Sequence, residues 1–213
     1  MKKKFIVPFF IVAALMLIVS QVSFAQDMEG KIGIGVRASY INYSDDDLGG
    51  GIDAEFDETA MYGGNLTFFA HNYLSLELSV DYVETDVDLE ALGVSVDIGE
   101  LEQIPILLSL RTHLSTNPKV SPYLTIGIGY YLNDFDMKSS IPAGYDLDPD
   151  DSFGYHLGGG IEYFFNEHFA FNFDLKFIWT NVDFDVSAPG YTTEEHKVDV
   201  DAFTSGIGFK YYF

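Results

Sequence analysis

The chain has 213 residues and a formal net charge of −22, from 33 acidic residues against 11 Lys and Arg. Phosphate binding needs clustered Lys and Arg, so this balance argues against a nucleic-acid partner. An aromatic content of 16% excludes a disordered acidic chain, and the absence of Cys excludes disulfides and a lipid-modified cysteine anchor.

The first element is an address. MKKK precedes the apolar run FIVPFFIVAALMLIVS, and QVSFA follows, with small residues at Ser23 and Ala25. This is the layout of a secretory signal peptide. A membrane-spanning helix needs about 20 apolar residues, whereas this run is shorter, contains Pro8 and has no basic flank after it. Residues 1–25 are read as a cleaved signal peptide and 26–213 as a single exported domain. Cleavage removes three lysines and no acid, so the mature chain is more acidic still.

From there to the carboxy terminus the sequence alternates with a period of two, which places successive side chains on opposite faces of a strand. In chain order, Ile32, Ile34, Val36, Ala38 and Tyr40 oppose Lys31, Arg37 and Ser39, and Leu66 and Phe68 oppose Asn65 and Thr67. Leu74, Leu76, Leu78, Val80 and Tyr82 oppose Glu77, Ser79 and Asp81; Ile104, Ile106, Leu108 and Leu110 oppose Gln103, Ser109, Arg111 and His113. Leu124, Ile126, Ile128 and Tyr130 oppose Thr125 and two glycines, and Tyr155, Leu157, Ile161, Tyr163 and Phe165 oppose His156 and Glu162. The clearest stretch is Phe169, Phe171, Phe173, Leu175, Phe177 and Trp179 against Asn172, Asp174, Lys176 and Thr180; the last is Ile207, Phe209, Tyr211 and Phe213 against Thr204 and Lys210. Each segment has about the ten residues of a tilted membrane-spanning strand.

A soluble β-sandwich also alternates. Two features favour a membrane barrel. Tight turns at 71–73, 115–119 and 166–168 alternate with long connections at roughly 44–60, 84–101, 133–151 and 183–197, as short periplasmic turns and long external loops do. The polar face also carries more charge than a dry core tolerates. The fold class expected is all-β: an eight-stranded antiparallel transmembrane β-barrel of a bacterial outer membrane, with both termini periplasmic. Closure is required, because in lipid a sheet edge leaves backbone groups unpaired. Tyr40, Tyr43, Tyr130, Tyr163 and Phe165, at strand ends, suit interfacial girdles. Phe209, Tyr211 and Phe213 form an aromatic carboxy-terminal register of the kind read by barrel assembly machinery.

Parity puts Arg37, Glu77, Asp81, Arg111, Glu162, Asp174, Lys176 and Lys210 inside. An eight-stranded interior is just wide enough for side chains, so these are expected to fill the lower and middle lumen as structural ion pairs rather than to line a water pore. Ile41, Phe69, Val83, Leu107, Tyr131, Phe164 and Ile178 also face inward, as a hydrophobic pocket above the charges or as packing between them. Pro105 is inward too, where a proline removes a ladder donor and loosens the wall or marks a bulge. The loops carry acids such as Asp45, Asp46, Asp47, Asp146, Asp148, Asp150 and Asp151, but match no calcium motif. No cofactor, metal or catalytic residue is expected. His113 and Ser115 fall at a tight turn, and no serine and acid are readable beside His156.

The stretches KIGIGVRASYI, ELEQIPILLSLRTHLSTNPKVSPYLTIGIGYY, FGYHLGGGIEYFFNEHFAFNFDLKFIWTNVDFDV and VDVDAFTSGIGFKYYF resemble the OmpW family of small outer-membrane barrels, over nearly the whole mature chain. The resemblance implies a monomeric eight-stranded barrel with a hydrophobic channel that passes small hydrophobic molecules, with lateral exit through the wall into the membrane. Outer-membrane lipids and lipopolysaccharide, the assembly machinery and hydrophobic solutes are the partners expected. The alternatives are a structural or surface-interaction barrel, whose acidic loops meet cations, lipopolysaccharide or a protein, and a lipid-modifying enzyme.

Overall fold

A computed structural model of the chain describes residues 27–44, 46–49, 52–91, 94–114, 119–138, 146–187 and 194–213; the expected signal peptide lies outside them. The strands are β1 (Ile32–Tyr43), β2 (Asp46–Gly49), β3 (Ile52–Phe56), β4 (Thr59–His71), β5 (Leu74–Ala91), β6 (Val94–His113), β7 (Val120–Met137), β8 (Asp146–Pro149), β9 (Ser152–Phe164), β10 (Phe169–Ser187), β11 (Glu194–Asp199) and β12 (Ala202–Tyr212). Eight of them close a ring: β1 pairs with β4, then β5, β6, β7, β9, β10 and β12 follow, and β12 pairs back onto β1, always antiparallel. The free edges of a sheet are thereby removed, which is the condition for standing in hydrocarbon.

The wall is uneven in height. β1 and β12 have 12 and 11 residues, while β5, β6 and β10 have 18, 20 and 19. A membrane crossing takes about 9–11 tilted residues, so the long strands rise well past the rim. There β3 pairs with the end of β5, and β8 and β11 with the end of β10. Among the described residues, the segments read from sequence as external loops are therefore largely strand: β2 and β3 in 44–60, a β5–β6 ribbon in 84–101, the end of β7 and β8 in 133–151, and the end of β10 and most of β11 in 183–197.

Their acidity disguises them because the polarity of the wall inverts at the rim. Along β5, Leu76, Leu78, Val80 and Tyr82 face out and Glu77, Ser79 and Asp81 face in; beyond that point Glu84 and Asp86 face out while Val83 and Val87 are buried. Along β7, Ile126, Ile128 and Leu132 face out and give way to Asp134 and Asp136, with Tyr131 and Phe135 inside. Apolar-out suits lipid; apolar-in is the pattern of a water-soluble sheet. At the junction, tyrosines bond to nearby carboxylates: the hydroxyls of Tyr40, Tyr82 and Tyr130 donate to Glu58, Glu84 and Asp151. Tyr43 is not part of this girdle. Its odd position in β1 turns it inward, where it is buried and donates to Gln103 Oε1 at 2.9 Å.

Lumen-facing glycines make room for the large side chains opposite them. Gly35 lies beneath Lys210: a Cβ there would stand 2.7 Å from Lys210 Cγ and 2.8 Å from both Asn65 Oδ1 and the Phe209 carbonyl oxygen. Gly64, facing lipid, would meet only the Gly35 carbonyl oxygen at 3.5 Å. Gly35→Val is expected to destabilise the folded barrel by about 1–3 kcal/mol, and Gly64→Val by less than about 0.5 kcal/mol. Urea unfolding in detergent micelles, followed by heat-modifiable gel mobility, separates the two.

Candidate functional site: a charged belt beneath an apolar chamber

The lumen is layered. At the end carrying the tight turns, Phe69 and Phe164 pack with Met28, Ala170 and Tyr212 in a small apolar plug. The Tyr212 ring centroid lies 5.8 Å from that of Phe69 and 5.7 Å from that of Phe164.

Above the plug sits a belt of charge. Arg37, Glu77, Asp81, Arg111, Glu162, Asp174, Lys176 and Lys210 are all buried, and they converge because inward positions of six different strands meet across a narrow barrel. Glu77 is the hub. Its carboxylate accepts from Arg111 Nη2, from Lys210 Nζ at 2.7 Å and from Thr67 Oγ1 at 3.1 Å, and Arg37 Nη1 lies 3.7 Å away. Lys210 Nζ reaches on to Glu162 Oε1 at 3.0 Å, which also accepts from the Tyr212 hydroxyl at 2.8 Å. Arg37 grips Asp81 with two nitrogens, Nε at 2.7 Å and Nη2, and Nη2 also donates to Ser79. Lys176 Nζ donates to Asp174 at 2.6 Å, and Asn172 braces the second oxygen of Asp174 at 3.0 Å. The Arg111 guanidinium stands 4.5 Å over the Tyr123 ring.

Two histidines belong to this belt, and sequence reasoning left them without partners. His156 meets Ser109 Oγ at 2.9 Å, a serine on β6, one strand beyond its neighbour β7 in the ring. His113 is buried and lies between Ser75 at 2.8 Å and Ser121 at 3.1 Å, both on neighbouring strands. Ser115 lies outside the described residues. Neither His has a carboxylate on its second nitrogen: Ser121 takes that of His113, and His156 Nδ1 has no partner among the described residues. A base oriented by an acid, which nucleophilic catalysis needs, is thus missing from both pairs. The parity of Tyr123, His113 and Tyr212 was a readable signal that they face inward.

The third layer is an apolar chamber filled by its own buried side chains, on the side of the long hairpins. Ile41, Val83, Leu107, Tyr131 and Ile178 share it with Met61, Leu101, Val182, Val198 and Val200. The seven inward apolar positions expected from sequence therefore separate, five in the chamber and Phe69 and Phe164 in the plug. Beside the chamber the β5–β6 ladder is weakened, though its register runs on unchanged. The β5–β6 ladder pairs Val80 with Ile106 and Val83 with Gln103, and between them Asp81 and Tyr82 are unpaired with Pro105 and Ile104. Pro105 has no N–H to donate. On its other side it stays in register with Tyr131 of β7.

Outside the rim, register aligns two acidic rows: Glu84, Glu102 and Asp134, then Asp86, Glu100 and Asp136. Like charges directly opposite repel. Lys138 offsets part of this, binding Asp97 and lying 3.6 Å from Asp86; its hydrogen bond to Asp97 holds the ammonium above its ordinary pKa. Among the described residues, no three His, Asp or Glu side chains are arranged to hold a metal ion, and Asp45 lies outside them. Phe209 and Phe213 face outward, exposed, and Tyr211 stacks on His168 beside them.

Removing one partner from a buried, hydrogen-bonded charge cluster strands the others. Glu77→Ala leaves Arg111 and Lys210 short of a counter-charge, and Arg111→Ala leaves Glu77 short of one. Each is expected to lower unfolding stability by about 3–5 kcal/mol, read as a shift in the urea midpoint.

The family model described as "Outer membrane protein beta-barrel domain" matches residues 10–213. Among solved structures, OprG from Pseudomonas aeruginosa superposes with a TM-score of 0.75 at 25% identity, covering 88% of this chain and 97% of that one. E. coli outer membrane protein W, at 18% identity and a TM-score of 0.58, covers 88% and 100%, and shares the fold. The outer membrane protein AlkL of Ectopseudomonas oleovorans is 24% identical over 192 residues, 86% of this chain and 78% of AlkL. The closed ring of eight strands and these matches agree: the chain belongs to the outer-membrane β-barrel family, among the small barrels of the OmpW, OprG and AlkL group.

Proposed function

We propose that this barrel lets small hydrophobic molecules across the outer membrane, with its long hairpins facing the exterior and both termini in the periplasm. The carrying observation is an apolar layer of packed side chains lying beside the weakened β5–β6 ladder at Pro105, above a belt of ion pairs. An apolar solute gains by leaving water for the chamber. It is refused by the belt, where Glu77, Arg111, Lys210 and Arg37 already bond one another. The exit we propose is sideways through the wall beside Pro105, just above the Arg37–Asp81 pair, where two residue pairs of the β5–β6 ladder are missing, so a monomeric barrel suffices. The layers suit passive movement, since nothing in this path requires an energy source.

A second reading has its own observation, the two acidic rows on the outer face of the hairpins. Opposed carboxylates at the level of lipid headgroups would be relieved by divalent cations shared with lipopolysaccharide, or by a basic protein.

Uptake of a hydrophobic fluorescent probe by cells with an intact outer membrane tests the first reading. Wild-type protein is expected to speed uptake over cells without it. Leu107→Asp, at equal folded level, is expected to abolish that gain by placing a carboxylate in the chamber. Equal rates in all three sink the transport reading and leave the acidic rows as the functional surface. Pro105→Ala, which restores a ladder donor, is expected to slow uptake and raise the unfolding midpoint; faster uptake would contradict lateral exit there.

A further inference from the structure

The chamber holds one polar atom that its packing leaves unused. Tyr131 is 2% exposed, and its hydroxyl has no hydrogen-bond partner among the described residues. Such an atom is costly to bury, and most buried polar groups are bonded. This chain satisfies other buried phenols: Tyr43 in the same cluster donates to Gln103, and Tyr212 in the plug to Glu162. Tyr123 also lacks a hydroxyl partner, but it lies in the charged belt under Arg111. Tyr131 instead belongs to the apolar cluster with Ile41, Val83, Leu107 and Ile178, with the Asp81–Arg37 pair below it close enough to act on it electrostatically.

Its position is specific. Tyr131 stands in register with Pro105, at the height where the β5–β6 ladder is weakened. Its ring crosses Gly129 and Gly154, which are register partners in β7 and β9. A Cβ on Gly129 would lie 2.8 Å from the ring and 2.9 Å from the hydroxyl oxygen, and one on Gly154 would lie 3.0 Å from the ring. Two absent side chains thus make the slot the ring occupies. No hydrogen bond from the hydroxyl holds the ring there, so its donor stays unused beside the proposed exit.

We propose that Tyr131 determines specificity: its hydroxyl donates to an acceptor oxygen on the passing molecule, so the favoured cargo is an apolar chain bearing one carbonyl rather than a plain hydrocarbon. The inference rests on the transport reading above and deepens it. A carbonyl oxygen accepts without needing an acceptor in return, which matches a site that offers a single donor. The rest of the molecule meets mostly apolar side chains, aliphatic and aromatic, so a charged head is disfavoured by the same layer.

The test uses two labelled probes, an unbranched hydrocarbon and the methyl ketone of equal carbon number, supplied below saturation to cells with an intact outer membrane. Protein-dependent rates are compared for wild type and Tyr131→Phe at equal folded level. Tyr131→Phe keeps the ring in its glycine slot and removes only the donor. Protein-dependent ketone uptake is expected to fall about 3- to 10-fold, the worth of one hydrogen bond, with hydrocarbon uptake unchanged. Equal slowing of both probes would show a packing role and overturn the inference, as would an unchanged ketone rate (the result expected if water already satisfies the hydroxyl). Wild-type protein that speeds neither probe would overturn the transport reading itself, and this inference with it.

Discussion

Everything in this molecule follows from the backbone having to pair with itself. In hydrocarbon an unpaired peptide group costs several kcal/mol, so the sheet must close. The ring from β1 to β12 and back does so. Closing with eight strands leaves an interior only as wide as its side chains. That width turns the lumen into a packing problem, and the glycines are its solution. Gly33 yields to Tyr212, Gly158 to Lys176 and Gly160 to Tyr123, each by removing a side chain opposite a large one.

Packing alone would have been met by an apolar filling. The belt of ion pairs does something an apolar filling does not: it commits each large side chain to named partners. Glu77 and Glu162 are both tied to Lys210, and Arg37 is tied to Asp81 in the weakened stretch of the wall. Buried pairs contribute little net stability against an apolar replacement, but they are strict about geometry. Here that strictness holds Asp81 inward, at one of the two positions of β5 that lack a ladder pair to β6.

How much of this the sequence carries can be followed residue by residue. Strict alternation with charge on one face makes the inward set legible, because Asp174 and Lys176 cannot share a face with Phe173 and Phe177. Partnership is not legible. Lys210 reaches Glu77 across 133 residues of chain, and Ser109 reaches His156 across 47. Such meetings depend on strand register and on the stagger around the ring, which periodicity alone does not encode. Tyr43 shows the opposite failure: its parity was sufficient, and only its place near a strand end suggested a girdle. The hairpin extensions were hidden for a third reason. Glu84, Asp86, Glu100 and Glu102 look like loop residues when the outer face is expected to be apolar throughout, yet they are the outer face of strands that have left the lipid.

That reversal of polarity also gives the barrel a fixed hydrophobic height. On β10 the lipid-facing apolar run extends from Phe169 to Trp179 before Asn181 and Asp183 begin. At the usual rise and a tilt near 40°, this run spans about 25 Å. The acidic rows stand immediately above it, so a thicker bilayer would draw carboxylates into hydrocarbon. Lipid around the barrel must then thin to match the protein, because the closed ladder prevents the protein from stretching to match the lipid. The barrel carries its own gauge of membrane thickness, set near the height of an outer-membrane bilayer, and only a thicker one would have to thin around it.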